Sequence, residues 1–261
     1  MRDPNQFSSS FSIERFFLVL KRFFILNQKN WIVGILGAAG LIFSLWMLPV
    51  LFIDTPIELL GFKMMEGTAM FFYTVGGLVL TSRIFFELHS PATAFQFLTL
   101  PASTLEKFTA AWFISSVAYT LAAVAAIFLL SILVESISAF KLGIWDYFRF
   151  FNPFEADNLQ RFAGYFFYHS IFLLGAIYFK KNNFLKTLLV IISIFIGLFF
   201  TIAIGGLILT FMMITDDFYI EYQLLESAAN WQSILTYFIG TILIVTFLLF
   251  GYLQLKNKQV A

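Results

Sequence analysis

The sequence has no cysteine in its 261 residues. Disulfide bonds, thiolate nucleophiles and cysteine-ligated zinc or iron–sulfur centres are therefore excluded together. Charge is also scarce, because only 12% of the residues are Asp, Glu, Lys or Arg, against about 25% in ordinary globular domains. So few charged side chains cannot cover a soluble core of this size, and 60% of the residues are apolar. The composition therefore predicts an integral membrane protein.

Motifs that would mark an enzyme are missing as well. The sequence contains no HExxH zinc motif, no GxSxG nucleophile elbow and no GxxxxGKS or GxxxxGKT phosphate loop. His169 lies near the middle of a predicted span, and an ionisable residue at that depth is a functional-site hypothesis. Its neighbours at helical spacing are aromatic or aliphatic, so a neutral, hydrogen-bonded imidazole facing another helix is the favoured interpretation. We expect neither an active site nor a cofactor in this chain.

Long apolar runs dominate what is present. An α-helix needs about 20 apolar residues to cross about 30 Å of hydrocarbon. The sequence contains six such runs, at residues 31–52, 68–86, 110–134, 162–179, 188–214 and 234–253. The predicted fold class is therefore all-α, with six transmembrane helices. We expect a transmembrane domain at residues 31–253, between a cytoplasmic N-terminus at 1–30 and a cytoplasmic tail at 254–261.

The basic residues are distributed unevenly between the two sides of the predicted membrane domain. Twelve of the 16 Lys and Arg residues fall on the side that holds both termini, whereas 11 of the 15 acidic residues fall on the other side. Because cytoplasmic loops carry an excess of Lys and Arg, this bias predicts that both termini are cytoplasmic. The pattern also supports six spans, since a misplaced helix would mix the two groups.

The segment before the first span is amphipathic. Its polar residues recur as pairs at intervals of seven, beginning with Glu14 and Arg15 and continuing with Lys21 and Arg22. Most of the intervening residues are Phe, Leu or Ile. This pattern predicts a helix that lies in the cytoplasmic membrane interface. The alternative is a charged lead-in to the first span.

The connection between the second and third spans contains two helix-start signals. Ser90 followed by Pro91 supplies an N-cap and a first-position proline, and the short helix they open ends near Leu98, before Pro101. Ser103 with Glu106 has the spacing of a capping box. A short apolar helix at this position is suited to docking on a partner. The alternative is a helix that packs on its own bundle.

The stretch FELHSPATAFQFLTLPASTLEKFTAAW, at residues 86–112, resembles the corresponding loop of bacterial ABC-2 type ABC transporter permease subunits, in which an LPxSxxEK phrase recurs. The topology is similar over most of the chain. The resemblance implies that this loop holds a coupling helix contacting a separate ATP-binding P-loop subunit, with two permease chains and two ATPase chains per complex. The implied ATPase contacts are Glu87, His89, Thr93, Phe95, Gln96 and Phe97.

The resemblance also implies the permease subunit of an ATP-driven exporter in the bacterial plasma (inner) membrane. The chain would pair with itself or with a paralogue, would contact membrane lipid, and would bind no nucleic acid. ATP would be bound by the partner. Two alternatives remain from the residues alone: a non-transporting membrane sensor or assembly module, and, less favoured, an intramembrane enzyme centred on His169.

Overall fold

The computed structural model describes residues 11–52, 59–143, 149–215 and 222–260. Within these ranges all regular secondary structure is helical, which confirms the all-α prediction. The α-helices are α1 (Ile13–Phe52), α2 (Leu59–Arg83), α3 (Pro91–Leu98), α4 (Thr104–Phe113), α5 (Tyr119–Leu142), α6 (Ala156–Tyr178), α7 (Asn183–Thr215) and α8 (Tyr222–Val260). A 3₁₀ turn, Phe86–His89, precedes α3, and a π-helical turn, Ile114–Ala118, joins α4 to α5 without a break.

Four stretches of helix are long and apolar enough to cross a membrane. They are Trp31–Phe52, Thr104–Leu142, Asn183–Ile208 and Leu235–Lys258. They overlap the first, third, fifth and sixth predicted spans, so the chain is a membrane protein. The second and fourth predicted spans correspond to α2 and α6, which are helical but more polar.

The segment predicted to form an interfacial helix and the first predicted span belong to one helix. One uninterrupted helix runs from Ile13 to Phe52, so no helix ends at the predicted boundary between residues 30 and 31. The physical reason is that no proline occurs between Ile13 and Leu48, and the composition of side chains changes there without stopping the backbone hydrogen bonds.

The buried residues form two clusters. The first contains Phe23, Phe85, Phe97, Phe108 and Leu255 among others. It joins the N-terminal part of α1 to the α2–α4 connection and the end of α8. The second contains Trp46, Met70, Tyr73, Phe151 and Tyr165 among others, and is formed by α1, α2, α5, α6 and the segment before α6. The two clusters mark two ends of one helical bundle.

Helix α6 lies inside this bundle, and α7 lies at its edge. Tyr165, Phe172 and Ile177 of α6 are at most 1% exposed. In α7, by contrast, nearly every side chain from Ile192 to Ile208 is exposed. A helix that is apolar on all sides is stable in this position because lipid replaces water as its solvent.

Candidate functional site

The connection between α2 and α4 is ordered by local signals. Ser90 is extended, with φ −116° and ψ 126°, and Pro91 is the first residue of α3, so α3 starts where the sequence predicts. The Ser90 side chain makes no capping hydrogen bond. Thr93 instead donates its hydroxyl to the carbonyl oxygen of Glu87 at 2.9 Å, which ties the first turn of α3 to the preceding 3₁₀ turn.

The start of α4 is a complete capping box. The Glu106 backbone N–H donates to the Ser103 hydroxyl at 3.2 Å, and the Ser103 N–H donates to the Glu106 carboxylate at 2.8 Å. Two of the N–H groups that lack an intrahelical partner at the helix start are thereby satisfied. The predicted box is confirmed, and it fixes the direction in which the chain leaves α3.

Two ion pairs join the N-terminal part of α1 to this connection. Arg22 donates from both terminal nitrogens to the Glu87 carboxylate, at 2.8 and 2.9 Å. Arg15 donates to Glu106 at 2.9 Å from Nη2 and at 3.1 Å from Nε. Forked arginine–carboxylate pairs fix orientation as well as distance. Because the two arginines are seven residues apart, α1 is bound to the connection at two points that are about two helical turns apart.

The inner face of α3 rests on an aromatic layer. Phe97 is 1% exposed, and its ring centroid lies 6.1 Å from the rings of both Phe23 and Phe85. The Lys107 ammonium lies 5.6 Å from the Phe97 centroid and donates to the Leu98 carbonyl oxygen at 2.9 Å. The lysine therefore satisfies the C-terminal end of α3, where helix carbonyls have no partner within the helix.

His89 connects the same segment to α6. Its Nε2 lies 2.7 Å from the carbonyl oxygen of Ala176, so Nε2 carries the proton that is donated. Burial lowers the pKa of His89 below its usual 6.5, because desolvation disfavours the charged ring. The imidazole is consequently neutral at pH 7, and it docks the connection on the C-terminal turn of α6.

The six predicted contact residues divide by exposure. Phe95, 71% exposed, and Gln96 point away from the protein, whereas Glu87, Phe97 and the Nε2 side of His89 contact the chain itself. Thr93 is half-buried and so is intermediate between the two groups in exposure. The exposed face of α3 is thus centred on Phe95 and Gln96, and the inward residues set its position.

A second polar site surrounds His169, at the π-helical turn. His169 is fully buried, and its Nε2 lies 2.9 Å from the Ser115 hydroxyl. The Tyr165 hydroxyl donates to the Ser115 carbonyl oxygen at 2.7 Å. Tyr165 and His169, which are one turn apart on α6, therefore both form hydrogen bonds with Ser115 in the π-helical turn. The imidazole therefore faces another helix and is hydrogen-bonded to it, as the favoured interpretation of the sequence expects.

The sequence analysis did not identify the residues that hold the connection in place, namely Arg15, Arg22, Glu106 and Lys107, as members of the site. A signal existed for the two arginines, since their spacing of seven residues matches one helix face. Within the described residues, no group of three or more His, Asp or Glu side chains is placed to hold a metal ion.

Comparison with known proteins adds no relative from which a role could be transferred. No family model matches the chain, and no curated protein and no solved structure matches it either.

Proposed function

We propose that this chain is the membrane-spanning permease subunit of an ATP-driven exporter of the ABC-2 type. The observation that carries the proposal is α3, a helix of eight residues whose outward face presents an exposed phenylalanine. Lys107 of α4 binds the C-terminal end of α3, and the preceding 3₁₀ turn is bound to α1 and α6. A helix held in this way transmits force applied to its outer face. The resemblance of residues 86–112 to the coupling loop of that family points to the same role.

The proposal includes six spans, with α2 and α6 added to the four apolar ones. Their lengths, 25 and 23 residues, correspond to about 37 and 34 Å of helix. Both are less apolar because their polar side chains face other helices: Thr81, Ser82, His169 and Ser170 are at most 2% exposed. A central helix can carry such residues, whereas a lipid-facing helix cannot without a high cost.

Contacts at one end of the bundle support cytoplasmic termini. Near the C-terminus, Lys258 donates to the Ile177 carbonyl oxygen, and near the N-terminus Arg22 binds Glu87. His89 joins these two regions through α6. Lys and Arg are therefore in excess at this end of the bundle, and such an excess is typical of the cytoplasmic side of a bacterial plasma membrane.

In the proposed mechanism, a separate P-loop ATPase binds ATP and contacts Phe95 and Gln96 of α3. Closure of the ATPase dimer moves α3, and the movement passes to α1 through Arg22 and to α6 through His89. The chain itself needs no cofactor for this role. It would act as a dimer, either with itself or with a paralogue.

The test is affinity purification of the tagged chain in mild detergent, with co-purifying proteins identified by mass spectrometry. We expect a P-loop ATPase with the wild type, and its loss with Phe95→Asp. The matched control is Phe140→Asp, which replaces a phenylalanine that is 83% exposed near the other end of the bundle. Absence of an ATPase in every sample would refute the transporter proposal and favour the sensor or assembly module.

The intramembrane enzyme is the weaker alternative. His169 binds a serine hydroxyl that can itself donate to the Ala111 carbonyl oxygen at 2.8 Å, an arrangement that serves helix packing. If His169→Ala abolished the biological output while the protein stayed folded and kept its ATPase partner, the enzyme hypothesis would gain support.

A further inference from the structure

Four lysines gather around the turn between α6 and α7. We call this group the α6–α7 lysine cluster, and its members are Lys180, Lys181, Lys186 and Lys258. Lys180 and Lys181 lie in the turn and are exposed. Lys258 reaches the same place from α8, because its ammonium donates to the carbonyl oxygen of Ile177, in the last turn of α6, at 2.5 Å.

The geometry of the turn holds these charges close together. Lys180 and Lys258 are near enough for their charges to act on each other, and both act on His89. The Lys186 ammonium folds back over the turn, 5.8 Å from the centroid of the Phe179 ring. Asn182, with a left-handed φ of 53°, turns the chain sharply between the lysines and α7.

Within the part of the chain that the structure describes, no acidic side chain forms an ion pair with a cluster lysine. The first turn of α7 has no acidic residue, although a helix N-terminus favours negative charge. In the described ranges, the ion pairs involve Glu66, Glu87, Glu106 and Glu155, and none of them includes a cluster lysine. The cluster is therefore a concentrated positive site without a counter-charge from the described part of the chain.

The position of the cluster relative to the membrane indicates which kind of ligand it binds. The apolar stretch of α7 begins at Asn183 and that of α8 ends at Lys258, so the lysines lie where hydrocarbon gives way to headgroups. Basic groups between helices at this level bind anionic lipid headgroups. We propose that the α6–α7 lysine cluster binds the phosphate group of an anionic phospholipid. This proposal requires a membrane protein but does not depend on a transport function.

The test uses the purified full chain in mild detergent and native mass spectrometry, with phosphatidylglycerol, phosphatidylcholine and inorganic phosphate as separate probes. We expect saturable binding of phosphatidylglycerol with one high-affinity site, and no comparable binding of the other two. The Lys180→Gln, Lys181→Gln double variant should bind phosphatidylglycerol about 30-fold more weakly, since each surface lysine contributes about a factor of five or six.

The matched control is Lys21→Gln, Lys29→Gln, which removes two exposed lysines of α1 and should leave high-affinity binding unchanged. An equal loss in both double variants would overturn the proposal, because the effect would then be one of total charge. Binding of inorganic phosphate that competes with phosphatidylglycerol would overturn the assignment to a lipid. Neither substitution touches a buried contact, so the melting temperature of both variants should equal that of the wild type.

Discussion

The contrast between Phe97 and Phe95 gives the sharpest test of how α3 is held. Truncating Phe97 to alanine removes a ring that is 1% exposed and contacts Phe23 of α1 and Phe85, which directly precedes the 3₁₀ turn. Buried Phe→Ala substitutions cost about 3–5 kcal/mol through lost burial and the cavity left behind. Phe95 is two residues away on the same helix and 71% exposed, so Phe95→Ala should change stability by no more than about 0.5 kcal/mol.

The assay is unfolding of the purified protein by titration of a denaturing detergent into mild detergent micelles. The free energy of unfolding should fall by about 3–5 kcal/mol for Phe97→Ala and stay near the wild-type value for Phe95→Ala. Binding to an ATPase partner should show the opposite order when measured on protein that remains folded. Equal stability of the two variants would refute the described packing, because their helix propensities are matched and only burial separates them.

Three further predictions concern contacts around this site. Glu87→Gln should cost about 1–3 kcal/mol, and a double-mutant cycle with Arg22→Gln should show coupling; additive single effects would mean that the ion pair is not formed. Gly175→Ala should destabilise the α6–α7 contact by about 1–3 kcal/mol, because the added Cβ would lie 2.0 Å from a threonine hydroxyl of α7. The control Gly197→Ala should not destabilise the protein, because no atom lies within 4 Å of the added Cβ. Stability should fall as the pH drops below about 6.5 toward the lowered pKa of His89, since the unfolded chain then binds protons more readily than the folded chain. His89→Gln should weaken this dependence between pH 7.5 and 5.5.

Local signals explain what the sequence predicted well. The boundaries of α3 follow from Ser90, Pro91 and Pro101, and the start of α4 follows from Ser103 and Glu106, because each signal acts within a few residues. The four most apolar spans followed from composition. These features depend on backbone chemistry and on solvent, and both can be evaluated one segment at a time.

Tertiary contacts explain what the sequence did not predict. Phe95 and Phe97 are about 200° apart around a helix, so the sequence places them on opposite faces but does not say which face is buried. The partners in the ion pairs of α1 are 65 and 91 residues apart in the chain, and no short-range pattern links them. Continuity of α1 across residue 30 was missed for another reason: a change in side-chain polarity does not break a helix.

The π-helical turn Ile114–Ala118 determines how the continuous helix formed by α4 and α5 would respond to the loss of one residue. Such a turn accommodates one residue more than an α-helix of the same path. Deleting one residue within the turn should therefore leave a regular α-helix in which Val134 and Ser138 of α5, both buried, still face the bundle. In the regular part of α5 ahead of Val134, by contrast, a one-residue deletion should rotate every later side chain by about 100° and turn Val134 and Ser138 toward lipid. The π turn is thus the place in this continuous helix where the chain can lose a residue without changing which side chains are buried.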